Sequence, residues 1–386
     1  MEETWWVEEG QLDDDQRKVA ELKSKGSYLI KGPPGSGKTN LLLLRAKYLT
    51  LGGASNLVVV VFNRPLCEFI RSGSSHYTFD PKKVMTATQL ILSLLREAGQ
   101  RVDPGQMDFV DYRLELAKRL RHEIDEGNIP VVHDTILLDE AQDYLPQEVE
   151  LFRCLSHDLF AVADSRQKIY DLSDSLPTLE ANVDRIIELR YHYRSGVEIC
   201  RLADEVGARM TGHYEPITPT SNYPEAEMPS KFEAHCCSLD DQATKIAEAL
   251  KLQRRTFPTA LLGVICPRRA EVREIAAKLS NLGLDSEITL QTYEDGYQPL
   301  DPDRPIWISS IHGAKGFEFR ALHIAALEYV RNCGAQQKKL AFTAITRAKT
   351  RLDLYHDGPL PPYLSGAIDA LKPVAKPPSL RDAFKR

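Results

Sequence analysis

A glycine-rich loop, GPPGSGKT at residues 32–39, constrains the fold of this 386-residue chain more than any other feature. It follows the apolar run Tyr28–Lys31 directly and precedes the helix-like run Thr39–Leu51 directly. The spacing G-x-x-x-x-G-K-T between a strand and a helix is typical of loops whose backbone N–H groups surround a phosphate at a helix N-terminus. The sequence therefore predicts an α/β domain that binds a nucleotide.

The chemistry of the loop assigns roles to its last two residues. Lys38 is expected to contact the β- and γ-phosphates, and the Thr39 hydroxyl is expected to bind Mg²⁺. The predicted ligands are accordingly ATP and Mg²⁺. The nucleotide-binding residues predicted in this loop are Gly32, Pro33, Gly35, Ser36, Gly37, Lys38 and Thr39.

Two adjacent carboxylates, Asp139 and Glu140, follow the apolar run 135–138. Ligands bind at the carboxyl ends of strands in α/β sheets, so this pair is expected to face the nucleotide. Asp139 is predicted to complete the Mg²⁺ shell, and Glu140 to orient and deprotonate the attacking water. A solvated acidic loop is the alternative for an isolated Asp-Glu pair, and the upstream phosphate loop favours the catalytic interpretation.

Apolar, β-branched runs alternate with helix-length amphipathic stretches, and the runs fall into two sets that divide near residue 185. Runs of this kind are typical of parallel sheets with helices on both faces. The first set comprises Ser27–Lys31, Leu57–Phe62, Asp134–Asp139, Leu159–Ala163 and Arg185–Leu189. The second set comprises Lys231–Cys236, Leu261–Cys266, Ile306–Ile311, Leu322–Ala326 and Arg351–Tyr355. Two α/β domains in tandem are predicted.

The predicted domain limits are 1–184 and 185–357, with a short helical insertion at 98–133. Residues 210–230 contain four prolines and little periodicity, which predicts an irregular excursion. The proline-rich, basic segment 358–386 is predicted to be a poorly ordered tail, with contact to a phosphate backbone as the alternative.

The composition of the chain limits the cellular compartment in which it is expected to work and the kinds of partner that it is expected to bind. The chain has 49 Lys and Arg against 55 Asp and Glu, so nucleic acid would have to bind in a local groove. Its seven cysteines form no CxxC pair, which favours a reducing compartment over zinc or disulfides. The acidic N-terminus is unlike a signal peptide, and no apolar run approaches the length of a membrane span. A cytoplasmic protein without a membrane partner is predicted.

The segment DEAQD at residues 139–143 resembles the corresponding box of superfamily 1 helicases of the UvrD/PcrA/Rep type. Further segments resemble boxes of that family in the same order, over residues 12–349. They are LDDDQ at 12–16, ADSRQKIY at 163–170, YRS at 193–195, IHGAKGFEF at 311–319 and AFTAITRAK at 341–349. His192 stands where the family has asparagine. The resemblance implies a compact member of this family without its large accessory domains.

This resemblance implies two tandem RecA-like P-loop NTPase domains that hold ATP between them. By analogy, Gln16 recognises the adenine edge, Tyr193 stacks on adenine, and Glu318 accepts a hydrogen bond from the ribose. Gln167 contacts the γ-phosphate, and Arg194 and Arg347 are arginine fingers. A surface salt bridge is the alternative role for each arginine. Catalytic roles are thus predicted for Glu140, Gln167, Arg194 and Arg347.

The resemblance also implies a track for a single strand across both domains. The residues predicted to line it are Asn63, Arg64, Thr88, Tyr170 and His312. Phe62 beside them fits core packing or strand contact equally well.

The predicted function is an ATP-dependent nucleic-acid translocase or helicase that moves 3′→5′ on single-stranded DNA. The short stretches at 98–133 and between Arg194 and Trp307 leave no room for large accessory domains. They favour an alternative, a DNA-sensing regulatory ATPase subunit of a nuclease or of a phage-defence complex such as Gabija. A nucleotide-switched binding module without nucleic acid is the third hypothesis. DNA and RNA both stay open as the track.

Overall fold

The computed structural model describes residues 10, 12–72, 80–103, 105–167, 173–212, 214–292, 298, 301, 303–333 and 336–372. A six-stranded sheet of parallel pairs occupies the first half of the chain. Its strands are β1 (Tyr28–Lys31), β2 (Leu57–Val61), β3 (Val84–Thr86), β4 (His133–Leu138), β5 (Ser156–Ala163) and β6 (Arg185–Glu188). Their order across the sheet is β3-β2-β4-β5-β1-β6, so the phosphate loop leaves a strand flanked on both sides.

A second six-stranded sheet of parallel pairs occupies the rest of the chain. Its strands are β7 (Lys231–Cys236), β8 (Leu262–Cys266), β9 (Ile288–Gln291), β10 (Ile306–Ser310), β11 (Phe319–Ile324) and β12 (Ala348–His356). They run in the order β7-β12-β11-β8-β10-β9. All ten predicted strands overlap strands of the structure, and the prediction of parallel sheets is confirmed.

Helices cover both faces of each sheet and bury separate apolar clusters there. Those of the first half are α1 (Asp14–Ala20), α2 (Lys38–Leu51), α3 (Arg64–Ser72), α4 (Ala87–Glu97), α5 (Phe109–Asp125), α6 (Pro146–Leu155) and α7 (Leu176–Ala181). Those of the second half are α8 (Val197–Gly207), α9 (Leu239–Thr256), α10 (Arg269–Leu279), α11 (Gln337–Ile345) and α12 (Pro362–Ala370). Among the described residues, no helix combines the length and apolar character that a bilayer span requires.

The predicted domain limit at residue 185 falls inside the first sheet. Strand β6 pairs with β1 in register from Tyr28–Arg185 to Lys31–Glu188, so it is the last strand of the first sheet. Ile187 is buried against the first-half core, which explains the pairing. Strands β3 and β9 were not predicted. Strand β3 has only three residues, and β9 (ITLQ) alternates apolar with polar residues, so neither forms a recognisable apolar run.

Part of the predicted tail is a helix that packs on the second half. Helix α12 buries Tyr363, Leu364, Ala367 and Ile368 in the same apolar cluster as α8 and α11. This spacing of apolar residues is helical, and the surrounding prolines obscured it. The prediction of a poorly ordered tail is therefore wrong for residues 362–370, and residues 373–386 lie outside the described part.

Candidate functional site

The two halves of the chain meet at a cleft that lies between strand ends of the two sheets. Strands β1, β4 and β5 end on the side of the first sheet that faces the cleft, whereas β11 and β12 begin on the facing side of the second. The cleft holds a cavity of about 410 Å³. Among the predicted residues, it is lined by Gln16, Gly35, Gly37, Lys38, Thr39, Asp139, Glu140, Gln167, Tyr193, Arg194, Glu318 and Arg347. Gly32, Pro33 and Ser36 lie in the same loop.

The phosphate loop adopts a conformation that requires glycine. Gly35 and Gly37 have φ angles of 77° and 81°, in the left-handed region that other residues rarely adopt. A Cβ on Gly35 would also stand 2.4 Å from the Cβ of Arg194. Lys38 Nζ donates to the carbonyl oxygens of Gly32 and Pro33 at 2.9 and 2.8 Å, so the ammonium lies within the loop. Burial lowers the pKa of Lys38, and the carboxylates of Asp164 and Glu140 oppose this effect.

Thr39 and Asp139 form a pair that a divalent cation could join. The Thr39 hydroxyl donates to the two carboxylate oxygens of Asp139 at 3.0 and 3.2 Å, across 100 residues of sequence. Burial, reinforced by the neighbouring Glu140 carboxylate, raises the pKa of Asp139 to about 7. A buried carboxylate beside a hydroxyl is an oxygen-rich donor set of the kind that Mg²⁺ prefers.

Glu140 has the left-handed backbone conformation that L-residues rarely adopt, with φ at 49°. Such conformations cluster at functional sites because the surrounding structure must enforce them. Here the Glu140 N–H donates to Asp139 Oδ1 at 3.0 Å, and the Gln142 amide donates to the Glu140 carboxylate. Burial opposes ionisation of Glu140, but Lys315, Arg347 and Lys38 outweigh it and lower the pKa. Glu140 is thus a carboxylate at neutral pH.

Arg347 reaches from the second half to the first. It is 2% exposed, and its guanidinium donates to the side-chain oxygen of Gln167 and to the carbonyl of Thr343. Burial, reinforced by the nearby charge of Arg194, lowers the pKa of Arg347 to about 10. Arg347 precedes β12 directly, so the start of a strand delivers this cation to the cleft.

Glu318 lies directly before β11, lines the cavity and forms ion pairs with two cations. Arg194 Nε donates to its Oε1 at 2.7 Å, and Lys349 Nζ lies 3.2 Å from its Oε2. Burial opposes ionisation, yet the two cations lower the pKa of Glu318 to about 2. The surface salt bridge considered for Arg194 is instead a largely buried one within the cavity.

The N-terminal segment and the loop before α8 meet at the phosphate loop. The Tyr193 N–H donates to the Gly35 carbonyl at 3.0 Å, and its hydroxyl donates to Asp13. Gln16 accepts from the Asp13 N–H at 3.1 Å and donates to the Ser36 carbonyl at 3.0 Å. Both amide atoms of Gln16 therefore have protein partners while its side chain lines the cavity.

Lys315 is a residue of the site that the sequence did not single out. It is 1% exposed, donates to the Asp143 carboxylate and to the Gln167 carbonyl (2.8 Å), and lies 4.0 Å from Glu140. Burial raises the pKa of Asp143 to about 6, against the lowering effect of Lys315. The available signal was a lysine between an alanine and a glycine in the segment 311–319.

Of the residues predicted for a nucleic-acid track, the four that the structure describes do not line the cavity. Asn63 donates to the Lys315 carbonyl at 2.9 Å, and the Lys315 N–H donates to the His312 carbonyl, so Asn63 and His312 are close across the halves. Arg64 is exposed at the start of α3, and Thr88 lies in the first turn of α4. No contact joins Thr88 to the others among the described residues, and Tyr170 lies outside them.

Part of the cavity wall comes from segments that were not predicted to be functional. Tyr223, Pro224 and Met228 come from the irregular excursion, where no periodic pattern marked them. The remaining additional residues are Pro34, Asn40, Gly316, Arg320 and Lys349. All five lie within or directly beside the predicted motifs, so their position in the sequence could have suggested them.

A further group of possible metal ligands in the described part of the chain lies apart from the cleft, on β7 and β12. Glu233, His235 and Asp353 bring one ligand atom each within 4.8 Å of one another. Arg351 donates to both carboxylates at 2.7 Å, and Lys231 also pairs with Glu233, so the two negative charges already have two cations. This group is a salt-bridge network.

No protein-family model and no curated protein matches this chain. Among solved structures, it is similar to the C-terminal domain of a possible DNA helicase from Lactobacillus plantarum WCFS1. The identity is 21%, the TM-score is 0.32, and the match covers 45% of this chain and 92% of that one. This is a weak likeness to a helicase-like fold, and it carries no information about individual site residues.

Proposed function

We propose that this chain hydrolyses ATP and that single-stranded nucleic acid stimulates the hydrolysis. The proposed protein is a translocase of the UvrD-like type, built on two RecA-like domains. One observation carries the proposal. Both halves of the chain contribute charged side chains to one cavity: Lys38, Asp139 and Glu140, with the Thr39 hydroxyl, from the first, and Arg194, Glu318 and Arg347 from the second.

The phosphate loop fits a bound triphosphate. Ser36 Oγ is buried and has no hydrogen-bond partner among the described residues, and a buried hydroxyl without a partner is costly. Lys38 is held within the loop by backbone carbonyls alone. A phosphate would supply the acceptor and the negative charge that these groups lack.

Thr39 and Asp139 would hold Mg²⁺, since their oxygens already lie together. The bound ion would neutralise phosphate charge during hydrolysis. Burial of the Asp139 carboxylate, which is unfavourable by itself, fits a cation at this position.

Glu140 would take the proton from the attacking water, because it is ionised at neutral pH and Gln142 orients its carboxylate. Arg347 and Arg194 would stabilise the charge that grows on the γ-phosphate. Because both belong to the second half, their approach would depend on closure of the cleft, which ties chemistry to motion.

The first test is the ATPase rate of the chain alone, with single-stranded DNA, and with single-stranded RNA. We expect stimulation by at least one strand and none in Lys38→Ala. Displacement of streptavidin from strands biotinylated at either end then tests the 3′→5′ direction, which comes from the family resemblance. A rate that neither strand changes would refute the proposal and favour a nucleotide-switched module.

A DNA-sensing regulatory subunit is the second candidate. The observation that favours it is that α5 is the one helix among the described residues between α4 and β4. A single helix offers little to separate a duplex. Strong ATPase stimulation without unwinding by the chain alone, and a gain of nuclease activity in a complex with a partner nuclease, would favour this candidate.

A further inference from the structure

Phe109 is the most exposed aromatic side chain in the described part of the chain. It begins α5, and 56% of its surface is accessible. An aromatic ring in water is an unfavourable arrangement, since burial would gain about 25 cal/mol per Å². Single exposed apolar residues are common, however, so exposure alone assigns no role to Phe109.

The ring of Phe109 rests on a rigid support. Its centroid lies 5.4 Å from the guanidinium of Arg113, which also lies 5.3 Å from the ring of Phe62. Arg113 is 2% exposed; its Nε donates to Glu148 at 2.9 Å and its Nη2 donates to the Asp143 carbonyl at 3.1 Å. Its Nη1 has no acceptor among the described residues. The two rings are therefore electrostatic partners of a fixed cation.

This support places Phe109 beside the residues predicted for the track. Phe62 follows β2 and immediately precedes Asn63, which contacts Lys315 of the second half. Asp143 is the last residue of the short helical turn Ala141–Asp143, which follows β4. The start of α5 thus lies at the same edge of the sheet as both.

The acidic residue next to Phe109 is turned toward the helix. The Asp108 carboxylate accepts from the backbone N–H groups of Val110 and Asp111 at 2.8 and 2.9 Å, as an N-cap. Its charge is engaged with the helix N-terminus. The exposed ring faces solvent beside it.

We propose that the ring of Phe109 is a stacking platform for a base of single-stranded nucleic acid. Every base has a π-face, and a fixed aromatic ring binds it with little loss of conformational entropy. From this platform, a contact path runs through Arg113 to the Asp143 carbonyl in the loop after β4. The inference rests on the proposed function and extends its track onto α5.

The test compares Phe109→Ala with Tyr48→Ala. Tyr48 is a matched control, since it is 48% exposed and its ring also lies near a buried arginine, 5.5 Å from Arg45, but on α2. Binding of a fluorescent oligothymidylate is measured by anisotropy. We expect Phe109→Ala to bind about 5- to 100-fold more weakly, Tyr48→Ala to match the parent, and Phe109→Trp to restore affinity.

Two further measurements separate stacking from a general structural effect. A strand with abasic sites throughout should bind the parent and Phe109→Ala equally, because it has no base to stack. The slope of log affinity against log salt should be the same for both, because an uncharged ring releases no counterions. In a separate measurement, the DNA concentration for half-maximal ATPase stimulation should rise in Phe109→Ala.

The failures of the two proposals are distinguishable. If the parent binds and is stimulated by single strands while Phe109→Ala behaves like the parent, the platform is refuted and the proposed function stands. An equal loss of affinity for the abasic strand would also refute stacking. If the parent neither binds single strands nor responds to them, both proposals fall.

Discussion

The ammonium of Lys315, in the loop after β10, forms a buried ion pair with the carboxylate of Asp143, in the loop after β4. The two residues are 172 positions apart in sequence, and each is at most 1% exposed. Lys315 also lies 4.0 Å from Glu140. One side chain therefore joins the two halves and adjusts the electrostatics of the proposed catalytic base.

Replacement of Lys315 should destabilise the protein strongly. Lys315→Met leaves the Asp143 carboxylate buried without its cation, so we expect the free energy of unfolding to fall by about 3–5 kcal/mol. Urea unfolding measures the change. Lys31→Met is the control, because its pair with Glu180 is 30–40% exposed and contributes at most about 1 kcal/mol. Equal losses in the two variants would contradict the importance of the buried pair.

Glu140→Gln should retain ATP binding and lose turnover. The amide cannot accept a proton from water, and removal of a general base typically costs about 10²–10⁴ in rate. Steady-state kcat and the Kd of a fluorescent ATP analogue give the two quantities. Turnover close to that of the parent would exclude Glu140 as the base.

Arg347→Ala should lower kcat by about 10³ or more and leave ATP affinity within several-fold. The expected reason is that an arginine finger acts on charge that develops in the transition state. The variant should also lose stimulation by single strands. Since Arg347 is buried, thermal unfolding must show a folded variant. DNA-stimulated turnover near the parent value would make Arg347 a structural residue that holds Gln167.

Binding of single-stranded DNA should weaken steeply with salt, and Arg64→Ala should reduce the slope of log affinity against log salt by about one. Arg64 is exposed beside Asn63, and the predicted track assigns it one phosphate contact. Arg255, an exposed residue of α9, provides the control substitution. A flat salt response of the parent would argue against a track along this edge.

Acidification should destabilise the protein partly through His192. The ring is fully buried, its Nε2–H donates to the Ile217 carbonyl at 2.9 Å, and burial lowers its pKa to about 4. The unfolded chain takes up the proton near pH 6.5 and the folded chain only near pH 4. Stability present above pH 6.5 is thus lost as pH falls toward 4, by about 3 kcal/mol.

His192→Gln tests this assignment, because the amide nitrogen of glutamine can take the place of Nε2 in the bond to Ile217 and glutamine does not titrate. Its free energy of unfolding should fall less between pH 7 and pH 4 than that of the parent. An unchanged pH dependence in the variant would mean that other groups are responsible.

The local features of this protein could be predicted from its sequence. The phosphate loop, the carboxylates after β4 and the apolar runs are each contiguous, and backbone geometry and hydrophobic periodicity act over such short distances. Where the pattern was too short, as in β3, or broken by prolines, as before α12, prediction failed.

The sequence by itself determined which segments form strands and placed a glycine-rich loop between β1 and α2. Only the tertiary structure decided that β6 pairs with β1, that Glu318 holds Arg194 and Lys349, and that Lys315 reaches Asp143. No local pattern encodes these pairings, because each depends on burial and charge that arise when distant segments pack together. These pairings form because a buried charge or an apolar surface that has no partner raises the free energy of the folded protein.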